Sequence, residues 1–374
     1  MKNYLKKGLR GLKTKPKIMI SFTEGGENGG PYISHKRIME SSLKDKYEFI
    51  PLIIPKGRIG VFNISLLRKL RKDILKANPD IVHFTGLQLT GFHVALACKL
   101  VGIQNTILAI RGSSLEAINF PGWKKRIVNI LEISTLKLSR VCYGVSEYVC
   151  SWERVQNHSN WCYGHIYNIP SDKKRDEVYS NSYFREEIDA KFDDILIVST
   201  GRITREKGFE VLLNVIKNMN IPDDVKFVIA GEGEFFDTFK NEIEQNNLTD
   251  TVFLLGYRND IDSILQSSDI FVLCTLHETL CNSIIEAGYF SLPTVATRVG
   301  GIPEIVEDGY NGFLVDKYNV QGTIDALQRL IKDKTKRENM GKNAKKIIDN
   351  KFSKEKIVQQ IDDLYRRLLE NGGR

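Results

Sequence analysis

DIFVLCTLHETLCNSIIEAGYF, Asp269–Phe290, reads as a strand, a loop and a helix in succession. DIFVLCT is a short run of branched and aromatic residues, the pattern of a buried strand. NSIIEAGYF has helical character. Glu278 falls in the loop between them, and Glu286 falls inside the helix, eight positions later. That spacing excludes an i,i+4 surface pair. Two unrelated surface glutamates are the simpler alternative, but Glu286 is embedded in the apolar run SIIEAGYF. A strand that feeds a helix through a short loop is the unit of a parallel sheet, and such sheets bind ligands at their strand C-termini. A loop carboxylate there can accept hydrogen bonds from hydroxyl groups. A helix carboxylate two turns on can grip a second pair, and the N–H groups at the helix start between them face an anion.

The same unit recurs in both directions along the chain. Upstream, KIMISF, YEFIPLIIP, DIVHFT, NTILAI and VCYGVS are extended runs separated by helical patterns. Residues 168–194 break the rhythm; they are polar, charged and contain Pro170. The rhythm restarts with DILIVST, KFVIAG, TVFLLG, DIFVLCT and PTVAT, and from Thr323 onward the text is helical. A chain of 374 residues exceeds one ordinary core. The expectation is an α/β protein of two tandem Rossmann-like domains with parallel sheets. They cover residues 1–170 and 171–353, with a C-terminal helix over 354–374 returning to the first domain.

Four more loops follow predicted strands. TEGGENGGPYIS, Thr23–Ser34, holds glycines at 25, 26, 29 and 30 and leads into a helix. It is not G-x-G-x-x-G, which weakens a nicotinamide reading. GRITREKG, Gly201–Gly208, sets Arg202 and Lys207 around a strand-to-helix turn, a fork donor and a point charge suited to a diphosphate. AGEGE, Ala230–Glu234, offers Gly231 and Gly233 for close backbone approach, but Phe236 spoils the dinucleotide fingerprint here too. TRVGGIPEIVEDGYNGFLV, Thr297–Val315, opens with a glycine pair before Pro303 and Glu304.

Charge is uneven. Residues 1–170 carry 26 Lys+Arg against 11 Asp+Glu, and residues 171–374 carry 28 against 35. The first half is therefore expected to meet something anionic: a phospholipid surface, a lipid diphosphate or a nucleic acid. Seven Lys or Arg and no acid fall in the first 17 residues, with no apolar signal-peptide core after them. That leader reads equally as a membrane-surface segment or as a solvated basic tail. No recognition helix, zinc spacing or aromatic-basic motif supports nucleic acid. No run reaches the length of a membrane-spanning helix. The six cysteines make no C-x-x-C and no histidine spacing suits a metal. A reducing, cytoplasmic setting is expected, peripheral on the inner face of the membrane.

Taken in order, GRITREKG, AGEGE, FLLGYRND, the pair Glu278 and Glu286, and GGIPEIVEDGYNGFLV resemble the retaining glycosyltransferases of family 4, the glycosyl transferases group 1 with the GT-B fold. The resemblance spans nearly the whole chain and is most specific over Gly201–Val315. It implies that Arg202 and Lys207 hold the donor diphosphate, that Glu278 binds the donor sugar near its reacting carbon and that Glu286 binds the ribose. It places Gly231, Gly233, Tyr257 and Arg258 beside the base, and Gly29 and Gly30 against the diphosphate. Thr279, Leu280, Cys281 and Asn282 would line the donor sugar. Arg111, in LAIRGSSLE, stands where many members have a histidine. An arginine cannot serve as a base.

The implied reaction is front-side transfer with net retention of a hexose-type sugar from a nucleoside-diphosphate donor, UDP foremost. It needs no metal and no cofactor beyond that co-substrate. The basic first half fits a saccharide or lipid-linked saccharide acceptor in bacterial surface polysaccharide assembly. Two rivals stay open: a sugar-nucleotide 2-epimerase, and a non-catalytic nucleotide-sugar-binding partner of another transferase.

Overall fold

The structure is a computed structural model that describes residues 15–26, 29–55, 63–117, 121–170 and 181–371. The basic leader lies outside the described residues up to position 14. The described residues form two six-stranded parallel sheets, each flanked by helices.

The first sheet holds β1 (Lys17–Thr23), β2 (Glu48–Ile54), β3 (Ile81–Thr85), β4 (Thr106–Ile110), β5 (Val141–Gly144) and β6 (Cys162–His165), in the order β2-β1-β3-β4-β5-β6. The second holds β7 (Ile195–Thr200), β8 (Val225–Ala230), β9 (Val252–Gly256), β10 (Ile270–Leu273), β11 (Thr294–Thr297) and β12 (Gly312–Val315), in the order β12-β11-β10-β7-β8-β9. Strands β3, β4, β7 and β10 are almost wholly buried, as covered parallel strands must be. This is the GT-B fold, two Rossmann-like units in tandem.

Each order reverses direction once, between β1 and β3 in the first sheet and between β7 and β10 in the second. At such a point neighbouring connections leave to opposite faces and open a crevice at the strand C-termini. The loops that begin with Gly86 after β3, with Gly201 after β7 and with Cys274 after β10 therefore start at these openings.

Helices sort by face. On the first sheet, helices Ile64–Ala77, Leu89–Val101 and Gly122–Leu138 pack side by side, the middle one between the others. The opposite face is covered by Gly30–Glu40 and, from the far end of the chain, by Lys354–Asn371. Ile357, Ile361, Leu364 and Leu368 of that last helix share a core with Ile18, Ile20, Ile81 and Ile107. Its Asp362, nearly buried, takes hydrogen bonds from Lys46 Nζ (2.7 Å) and Tyr47 Oη (2.8 Å). Among the described residues no helix is long and apolar enough to cross a membrane.

Candidate active site

A cavity of about 460 Å3 lies between the domains at the two reversal points. The first domain contributes Gly86, Leu87, Gln88 and Thr90 after β3, and Arg111 to Ser114 after β4. The second contributes Arg202, Glu206 and Lys207 after β7, and His277, Glu278 and Thr279 after β10. Arg202, Lys207, Glu278, Arg111 and Thr279, separated by up to 168 positions in the chain, are thus brought to one place.

The second-domain wall is charged. Lys207 Nζ is paired with Glu278 Oε2, their side chains 23% and 12% exposed. Burial pulls the Lys207 ammonium down, but the Glu278 carboxylate outweighs it and the net shift is upward. Arg202 beside them is exposed. Burial lowers His277, which keeps its imidazole neutral near pH 7.

This wall is held by backbone packing. A Cβ on Gly300, whose φ is +53°, would fall 1.6 Å from the Glu278 carbonyl oxygen. The glycine pair before Pro303 thus presses on the backbone that carries Glu278. A Cβ on Gly231 would fall 1.8 Å from the Gly201 carbonyl, and one on Gly233 would fall 2.4 Å from that of Ile203. Ile203 N donates to Glu232 O at 2.9 Å and Phe235 N to Ile203 O at 3.0 Å. The glycines of AGEGE are therefore required by the loop beside them, the one that carries Arg202.

The first-domain wall is polar and hydroxyl-rich. Glu132, fully buried, accepts from Ser113 Oγ (2.5 Å) and Gln88 Nε2 (3.0 Å). Arg154 compensates its charge, with Nε 2.9 Å from Glu132 Oε2, and also pairs with Glu116 at 3.0 Å. Arg111 is held differently. Its Nη1 bonds the Asn168 amide oxygen, and its Nε is buried without a hydrogen-bond partner among the described residues. Burial lowers its pKa. Beside it lie His35 and His83, their rings 5.0 Å apart. Burial first and Arg111 second hold His35 down to about 3, and burial holds His83 well below its usual range. His83 is bonded to Tyr365 Oη (2.8 Å) and Tyr143 Oη (3.0 Å).

A second cavity, of about 560 Å3, adjoins the first. Glu286 and Asn282 line it, with Arg37, Asn168, Asp262 and Tyr289. The bridge Arg111–Asn168–Asn282 stands between the two, the second link being 3.1 Å from Asn168 Nδ2 to Asn282 Oδ1. Glu278 and Glu286 accordingly face neighbouring cavities. Leu280 and Cys281 are buried, and burial raises the Cys281 thiol to about 12. They lead into helix Asn282–Tyr289, whose start has no side-chain cap. Thr279 Oγ1 donates to the Arg111 carbonyl at 2.9 Å.

The remaining expected residues stand apart. Gly29 precedes helix Gly30–Glu40, and a Cβ on Gly30 would meet open space. Neither lines either cavity. Arg258 is engaged by Glu187 and Asp260, which raise its pKa, and Tyr257 is exposed. Among the described residues no group of three or more His, Cys, Asp or Glu is placed to hold a metal ion.

Residues 182–347 match the family of glycosyl transferases group 1. This stretch is similar to the group 1 glycosyl transferases. It carries Arg202, Lys207, Glu278 and Glu286, the second-domain contribution to both cavities. Similarity to known proteins extends beyond this stretch. UDP-Gal:alpha-D-GlcNAc-diphosphoundecaprenol alpha-1,3-galactosyltransferase of Escherichia coli is 29% identical over 83% of this chain and 82% of its own length. The capsular polysaccharide biosynthesis glycosyltransferase CapM of Staphylococcus aureus is 26% identical over 88% of each. Among solved structures, Anabaena Alr3699/HepE in complex with UDP-glucose superposes with a TM-score of 0.77 at 19% identity. It matches 94% of this chain and all of that one.

Two residues at the domain interface escaped the reading of the sequence. Glu304 accepts the N–H groups of Glu147 (2.9 Å) and Tyr148 (2.8 Å) and the hydroxyl of Tyr167 (3.1 Å), so a second-domain carboxylate caps a first-domain helix turn. Its place in GGIPE was visible, its partners were not. Asn168, the centre of the bridge, carried no signal at all.

Proposed function

We propose that this protein is a retaining, family 4 glycosyltransferase. It moves a hexose-type sugar from a UDP-linked donor to a saccharide or lipid-linked saccharide during bacterial surface polysaccharide assembly, at the inner face of the membrane. The observation that carries the proposal is the meeting of Arg202, Lys207 and Glu278 with a hydroxyl-rich wall in one interdomain cavity.

The donor diphosphate lies between Arg202, Lys207 and the uncapped start of helix Asn282–Tyr289, where cations and free N–H groups face it together. Glu286 takes the ribose in the adjoining cavity, and Glu278 takes hydroxyls of the sugar. The acceptor hydroxyl is positioned by Gln88, Thr90, Ser113 and Ser114. Glu132 fixes two of these side chains, so their orientation is set before substrate arrives. The bond from the anomeric carbon to the diphosphate oxygen breaks, the bond to the acceptor oxygen forms on the same face, and the acceptor proton passes to the departing phosphate. Arg202 and Lys207 stabilise the charge that develops there, a task a divalent ion performs elsewhere, so turnover needs no metal. The donor and acceptor named for the Escherichia coli relative, and UDP-glucose in the Anabaena complex, support this reading.

Calorimetric titration with UDP, GDP, ADP and NAD in EDTA tests it. Micromolar binding of one nucleoside diphosphate, weakened at least about tenfold by Arg202→Ala or Lys207→Ala, is expected. Glu278→Ala should bind the nucleotide yet lose transfer. Binding of NAD alone, or near-normal transfer by Glu278→Ala, overturns the proposal.

A further inference from the structure

Helix Gly122–Leu138 is buried along only part of its length. Leu131, Glu132, Thr135 and Leu136 face the domain, whereas residues 121–127, 129 and 130 are exposed. Among the exposed residues are Trp123 at 63%, Ile127 at 38% and Ile130 at 62%. At about 100° per residue these three fall within an arc of about 60°, on the side away from the buried face. Arg126 borders the arc on one side and Lys124 on the other, with the Lys124 ammonium 5.4 Å from the Trp123 ring centre. No acidic residue occurs from 118 to 131. Single exposed apolar side chains are ordinary; a stripe of three that includes tryptophan, edged by cations, is not.

Another helix of the same layer, beyond Leu89–Val101, is also basic on its outer side. Helix Ile64–Ala77 is buried through Leu66, Leu70 and Ile74 and turns Arg68, Arg71, Lys72 and Leu75 outward. It lies in the same layer as Gly122–Leu138.

We propose that the outer face of helix Gly122–Leu138 docks this protein on an anionic lipid bilayer, with Trp123, Ile127 and Ile130 entering the headgroup region and Lys124 and Arg126 meeting lipid phosphates. Charge complementarity selects the bilayer over an apolar protein surface: a stripe bounded only by cations suits a negative plane. Tryptophan is favoured at that depth, because its ring is apolar and its N–H stays near water. The docking face and the cavity belong to one unit. The loop that precedes the helix contributes Arg111 to Ser114, and Glu132 of the helix itself holds Ser113 and Gln88. The use of docking, presenting a lipid-linked acceptor to the cavity, rests on the proposed function; the docking itself does not.

Vesicle flotation of the full-length protein tests the assignment. One set of vesicles holds phosphatidylcholine alone, the other equal parts of phosphatidylcholine and phosphatidylglycerol. Wild type should float with the anionic set. The triple change Trp123→Ser, Ile127→Ser, Ile130→Ser should reduce partitioning at least about tenfold. Lys124→Ser with Arg126→Ser should reduce it roughly 25-fold, about fivefold for each cation. Equal flotation of wild type and triple variant overturns the proposal. So does loss of flotation only on deleting residues 1–14, which would assign binding to the leader. Concentration-dependent self-association lost in the triple variant, without flotation of wild type, would assign the stripe to a protein partner instead. Transfer to a water-soluble acceptor should be unchanged in every surface variant. Its absence in wild type would overturn the proposed reaction and leave the flotation result standing.

Discussion

Gly300 lies in a loop of one domain and Gly30 at a helix start of the other. A Cβ on Gly300 would sit 1.6 Å from the Glu278 carbonyl, while one on Gly30 would meet nothing within 4 Å. The same contrast runs through the surroundings. On the second-domain side the loops after β7, β8, β10 and β11 brace one another backbone to backbone, and the cavity charges Lys207 and Glu278 are already paired. On the first-domain side Gly30 faces open space, and the Arg111 cation has an amide and two neutral imidazoles for neighbours. A glycine can thus serve a fold by making room for neighbouring backbone or by leaving a surface bare. The first use builds a rigid wall that holds charged groups in place before a ligand arrives. The second leaves room beside a helix start.

Breaking the braced side has the largest effect. Gly300→Ala should cost about 2–4 kcal/mol of stability, because a methyl group must displace backbone at a left-handed position. Transfer should fall at least about a hundredfold, since the displaced backbone carries Glu278. Thermal melting and turnover read the two effects separately; an unchanged melting temperature would show that the wall yields easily.

Acid should act on the open side. His35 titrates near 3 in the folded chain, and His83 also lies well below its usual range. Unfolded, both take up a proton near 6.5, so the unfolded state binds more protons in between. Stability is full above about 6.5 and declines as pH falls, by up to about 1.4 kcal/mol per pH unit for each histidine. His35→Asn should flatten the decline in melting temperature between pH 7 and pH 5. An equal slope in that variant would remove His35 from the account.

The smallest effect is expected at Gly30. Gly30→Ala should change stability by less than about 1 kcal/mol, in the stabilising direction, because alanine suits a helix start better and meets open space. A nucleotide affinity that falls with stability intact would sharpen the contrast, since it would mean that a ligand occupies that space.

How legible these regions were in the sequence follows from the same physics. Buried parallel strands such as DILIVST and DIFVLCT announce themselves, because both faces are covered and nearly every residue is apolar. Strand ends then located Arg202, Lys207 and Glu278 without further help. β6, Cys162–His165, was missed because its four residues are only half-buried and contain glycine and histidine. The partners of Glu304, and Asn282 opposite Asn168, lie more than a hundred positions away in the chain, and no local pattern encodes contacts across a domain interface. The glycines of AGEGE suggest close backbone approach, but which backbone approaches, that of the Gly201–Gly208 loop, is not written in the local sequence. The apolar residues of KRIVNILEISTLKLSR read as one amphipathic helix, yet Ile127 and Ile130 in its first half are exposed.

Helix Lys354–Asn371 gives the molecule a mechanical property. Because this helix packs on the first sheet, the chain crosses between the domains twice, once between Pro170 and Ile195 and again around Phe352–Lys354. A body tied to another at a single point can swivel in any direction. One tied at two points turns most easily about the line that joins them, like a door on a pair of pins. Any opening of the crevice would then be limited to a turn about that line, once the side-chain bonds of Glu304, Thr279 and Asn168 across the interface are released.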